Sequence, residues 1–96
     1  MRVTDRVVSA DDLLWSSSVQ IRDINLSIIQ GKDTYGSRDS NTFEVLVWDS
    51  NGNIPLGHSD IGSYMSWYEV RDLINCIREW DGWASHQRNL YLSNVD

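Results

Sequence analysis

Three stretches hold residue types at spacings that chemistry uses. Gly31-Lys32-Asp33-Thr34-Tyr35-Gly36-Ser37 has the outer spacing of a phosphate-cradling loop, in which backbone N–H groups wrap an anion. The Lys that such a loop places before its Ser, to reach the terminal phosphates, is absent, so the stretch reads as a connection between strands. Asp49, Asn51 and Asn53 alternate, and Asp60 closes the series in the manner of a calcium-binding loop. Ile54 stands where that loop requires Gly, and Pro55 and Leu56 crowd its middle, so Asp49-Ser50-Asn51-Gly52-Asn53 reads instead as a hairpin turn. Cys76 with His58 or His86 would make a nucleophile and its base. A thiolate needs positive surroundings, whereas Glu79 and Asp81 lie near in sequence, so a buried, inert thiol is expected. The same Cys and His residues lack the close paired spacing of zinc ligands. Neither the Gly-x-Ser-x-Gly nor the His-Glu-x-x-His pattern occurs. Asn25-Leu26-Ser27 matches a glycosylation sequon inside a predicted strand. The expectation is a protein that is not an enzyme and carries no metal or cofactor.

The elements that must position any functional residue follow from periodicity. Met1–Val8 reads as a short strand or a frayed end. Ser9, with Asp12 three residues on, has capping spacing and predicts a short helix through Leu13, Leu14 and Trp15, stopped by Ser16-Ser17-Ser18. Residues 19–29 read as one strand whose alternation resets at Arg22-Asp23, as across a bulge. Gly31 to Asn41 is a polar loop. Phe43 to Trp48 is the clearest strand, with apolar residues in both phases, as in a central strand covered in part on both faces. Ile54–Leu56 begins a return, and Ile61–Met65 is a further strand running into a helix. Ser66-Trp67-Tyr68-Glu69 is a capping box, and Gly82 marks the stop of a helix from Trp67 to about Asp81. Trp67, Val70, Leu73, Ile74, Ile77 and Trp80 share one arc of that helix, its core face. Leu90-Tyr91-Leu92 reads as a last, edge strand. The fold class is α+β: a small antiparallel sheet of three to five strands with one main helix packed on one face, a short N-terminal helix beside it, and residues 1–96 forming a single domain.

Of the 96 residues, 14 are acidic and 8 basic, a formal charge of −6. Ten aromatic residues, five of them Trp, supply enough apolar material for one core. The single Cys excludes an internal disulfide. No apolar run is long enough to span a membrane, and Met1–Val8 lacks the apolar stretch of a secretory signal, so a cytoplasmic, reducing compartment is expected. The seven Arg and one Lys are scattered, whereas a surface that tracks phosphates gathers its cations on one face. Direct nucleic-acid binding is therefore not expected.

What remains is a binding surface. Tyr68 falls on the polar side of the predicted helix with Asp72, Asn75 and Glu79, an aromatic ringed by groups that accept Arg from a partner. The loop adds Asp33, Tyr35 and Asp39, and Trp83, just past the helix stop, is expected to be partly exposed. This composition predicts an inhibitor that works by occupancy: carboxylates on a rigid helix and loop pair with cations that a nucleic-acid-handling protein keeps for phosphates. Phage-encoded anti-defence proteins, anti-CRISPR proteins among them, and toxin immunity proteins are small acidic objects of this type, although no motif ties the chain to one family. The alternatives are a homodimer joined through an edge strand such as Leu90–Leu92, and a small enzyme using Cys76 with a His.

Overall fold

A computed structural model of the chain describes residues 1–9, 14–32, 34–37 and 39–93. Among the described residues, six strands and two helices follow one another as β1 (Arg2–Ser9), β2 (Leu14–Ile21), β3 (Ile24–Gln30), β4 (Thr42–Asp49), β5 (Gly52–Asn53), β6 (Ile61–Ser66), α1 (Trp67–Glu79) and α2 (Trp83–Ser93). All pairings are antiparallel. β1 to β4 lie side by side in chain order, and both β5 and β6 pair with β4. No helix among the described residues is long and apolar enough to cross a membrane.

The register explains the core. Ser17, Val19 and Ile21 lie opposite Ile28, Leu26 and Ile24, and Leu26 and Ile28 lie opposite Val47 and Val45. Opposite residues share a face, so these form one continuous apolar layer, and Ile54, Val70, Ile77 and Trp83 close over it. The other face of β3 and β4, with Ile29, Glu44, Leu46 and Trp48, is half-buried. The central strand expected at Phe43–Trp48 is present as β4, and the sheet exceeds the expected three to five strands only through the two-residue β5.

Several local expectations are overturned. Leu14 and Trp15 belong to β2, so no helix runs through them, and Ser16-Ser17-Ser18 lies within the strand. Ala10–Leu13, the rest of that predicted helix, lies outside the described residues. Alternation decides the matter: Trp15, Ser17, Val19 and Ile21 share a phase, and a residue as small as Ser is no obstacle to a strand that pairs on both sides. The phase change at Arg22-Asp23 is a tight turn between two strands rather than a bulge. Ile21 pairs with Ile24, and Arg22 takes a left-handed φ of 57°. Leu90-Tyr91-Leu92 is helical, in α2. The homodimer built on an edge strand there loses its strand.

Candidate protein-binding surface

The helix that carries most of the candidate residues is fixed at both ends. The predicted capping box is present: Ser66 Oγ accepts from Glu69 N at 3.2 Å, and Glu69 Oε1 accepts from Ser66 N at 3.0 Å. At the other end, α1 stops at an extended Trp80 rather than at Gly82. Its last carbonyls are held from the sheet. Arg22, in the β2–β3 turn, donates to the carbonyl of Ile77 at 2.6 Å and of Arg78 at 3.3 Å, and its Nε lies 3.6 Å from Asp81. A cation at this end also complements the helix dipole. Val70 and Ile77 are fully buried, and Leu73 and Ile74 pack against the core in part. Trp67, at the edge of that arc, and Trp80, which stands beyond the helix as its extended C-cap and so is not on the arc, are both about half exposed.

Tyr68, Asp72, Asn75 and Glu79 recur at helical spacing opposite the buried Val70 and Ile77, so the structure brings these four onto one side of α1. Tyr68 is 67% exposed. The face is not purely acidic: Arg71 lies over the Tyr68 ring at 5.2 Å from its centroid and 3.5 Å from Asp72. Asn75 is half-buried at the margin of this face. It also lines a groove between α1 and the β1–β2 part of the sheet.

The loop between β3 and β4 is organised by its own polar groups. Gly31 and Gly36 bridge, and Thr34 Oγ1 donates to the Gly31 carbonyl at 2.7 Å while accepting from Gly36 N at 3.1 Å. Gln30, buried at the end of β3, donates to Asn41 Oδ1 and the Thr42 carbonyl. Gly36 packs where a Cβ would come within 2.8 Å of backbone atoms of Phe43 and Glu44, so only Gly fits. The N–H groups of Gly31, Gly36 and Ser37 are spent inside the loop and are not turned to an anion. Tyr35 is 52% exposed, edge-on to Tyr64, and its carbonyl accepts from Tyr64 N at 2.7 Å. Tyr64 takes a left-handed φ of 51°, strained for an aromatic residue. The loop therefore meets the chain just before α1, through an aromatic pair that alternation alone did not suggest. Asp39 is exposed on the same loop, and Asp33 lies outside the described residues.

Two expectations about exposure are reversed. Trp83 is 3% exposed: it is the anchor of α2 on the core, because the turn after Trp80 brings the chain back toward the sheet. Cys76 is exposed rather than buried, since it sits on the flank of α1 away from Val70 and Ile77. His86 lies against Trp80, 4.8 Å between ring centroids.

The hairpin turn is not an ion loop. Asp49 receives Arg88 of α2 in a two-pronged pair, at 2.7 and 2.9 Å, and also accepts from Asn51 N. The Arg88 guanidinium holds the Asp49 carboxyl below its ordinary range, more than burial raises it. On the sheet face away from α1, burial alone pushes Glu44 up. Among the described residues no group of three or more His, Cys, Asp or Glu is placed to hold a metal ion. Set against protein-family models, curated proteins and solved structures, the chain matches none.

Proposed function

We propose that this protein is a non-enzymatic inhibitor that acts by occupying the basic, nucleic-acid-binding surface of a partner protein, in the manner of phage anti-defence (anti-CRISPR-like) or toxin-immunity proteins. The observation that carries the reading is the outer side of α1. A large ring, Tyr68, stands in solvent beside Asp72, Asn75 and Glu79 on a helix capped at both ends. An exposed aromatic on a rigid element offers contact area at little entropic cost, and flanking carboxylates accept Arg. Arg71 lies over the ring and 3.5 Å from Asp72, so one cation stands among the carboxylates of this face. The net charge of −6 adds attraction to a cationic partner at long range.

The test is affinity purification from host cells with the wild-type chain and with the double variant Asp72→Lys/Glu79→Lys, followed by a salt titration of any complex. The expected result is a basic partner whose affinity falls with salt and drops about tenfold or more in the variant. A partner held equally well by both proteins removes α1 from the interface.

A further inference from the structure

We propose that the face of the sheet turned away from α1 binds a short acidic saccharide, in a cleft between Arg2 and Trp48. This goes beyond the α1 outer face and does not depend on it. The register builds the site. Arg2 lies opposite Gln20, Gln20 opposite Asn25, and Asn25 opposite Trp48, so the four form one row across β1, β2, β3 and β4. Thr4 and Ser18, opposite each other and two residues along their strands, begin a second row on the same face. Val19 and Leu26 bury their side chains in the core on the other face, so it is their backbone that floors the cleft. Its volume is about 190 Å³.

The side chains select the class of ligand. A sugar ring offers an apolar face of C–H groups and an edge crowded with hydroxyls. Trp48, half-buried at one end of the row, supplies the apolar contact. The amides of Gln20 and Asn25 and the hydroxyls of Thr4 and Ser18 both donate and accept, as a run of sugar hydroxyls requires. Gln20 spends one amide N–H on the Arg22 carbonyl, at 3.4 Å, which leaves its carbonyl and its other N–H for a ligand. In a protein of net charge −6, the cleft holds the cation Arg2, and none of the described residues that line it is acidic. A carboxylate on the sugar pairs with that guanidinium in a two-pronged contact. Neighbouring strands lie about 4.8 Å apart, so Arg2 and Trp48 stand about 14 Å apart along the row, a span that two linked sugar rings bridge. A nucleotide matches the row less well. Its base would stack on Trp48, but its phosphate dianion would meet a single cation on an acidic chain.

The probes are uronic acid disaccharides of the gluco, galacto and manno series, each beside its neutral methyl ester, followed by amide and indole chemical shifts of the whole protein. At least one acid is expected to bind at millimolar concentration or below. It is expected to move the Trp48 indole and the Gln20 and Asn25 side-chain amides and to leave the Trp67 indole, next to α1, in place. Esterifying that acid is expected to weaken binding about fivefold or more, and Arg2→Gln, at an exposed position, is expected to do the same. Asn25→Asp, a change of charge at nearly constant size in the middle of the row, is expected to weaken the acid more than its ester. No binding by any of the acids, equal binding of acid and ester, an unmoved Trp48 indole, or indifference to Arg2→Gln overturns the proposal. So does tighter binding of uridine monophosphate at the same resonances, which would assign the cleft to a nucleotide.

Discussion

Asp49 and Glu44 lie five residues apart on β4 with their carboxyls displaced in opposite directions, and acid titration separates them. Asp49, with its side chain 6% exposed, is held ionised by Arg88. Its pKa is lower folded than unfolded, so its contribution to stability is complete above the ordinary carboxylate range and is lost as pH falls below about 4. Arg88→Ala leaves that carboxylate without its guanidinium and is expected to cost about 2–3 kcal/mol at neutral pH. Urea unfolding measures the loss, and hydrogen exchange is expected to show α2 released first, since Arg88 ties it to the β4–β5 hairpin. Glu44 has the reverse sign. Burial raises its folded pKa, so its effect appears as a penalty that grows as pH rises through and above the range near 4.5. Glu44→Gln is therefore expected to stabilise by a few tenths of a kcal/mol at pH 7 and to be neutral near pH 3, read from paired urea titrations. Equal effects at the two pH values would show that the side chain's packing, not its charge, is being measured. Neither shift is visible in the sequence, because each depends on a neighbour or a cover supplied from far along the chain.

The element that presents the candidate surface is α1, and its start was legible at short range. Ser66 and Glu69 lie within one turn of each other, so the capping box needs no tertiary help. Ser66→Ala is expected to destabilise the protein by about 1 kcal/mol and to raise exchange in the first turn of α1, with Ile77 unaffected. No change in thermal unfolding would mean that packing of Val70 alone fixes the helix start. The end of α1 was not legible, because Arg22 reaches it from the β2–β3 turn. Nor were the β2 and α2 assignments. Ser-rich and Leu-Tyr-Leu segments carry weak local preference, and pairing with β1 and β3 in one case and the burial of Trp83 in the other decide between strand and helix.

Across the whole molecule, two surfaces of different charge character flank the same helix. Tyr68, Asp72 and Glu79 lie on the outer side, Arg78 borders the groove beside β1, and Arg71 stands between the two, over the Tyr68 ring and at the groove's rim. Among the described residues, Asp23, Asp39 and Asp60 are exposed in three separate connections. Net charge thus describes long-range attraction, and the order of residues around α1 describes contact. The chain's own pattern established the antiparallel α+β class, the central strand β4, the capped start of α1 and the outward side of Tyr68, since these depend on periodicities of two or of about 3.6 and on neighbours within a turn. Only the tertiary structure decided that Trp83 is an anchor, that Cys76 is exposed, that Tyr35 meets Tyr64, and that an apolar groove stays open beside β1. Those outcomes depend on which distant surfaces cover which residues, and a linear alternation of polar and apolar side chains does not encode that cover.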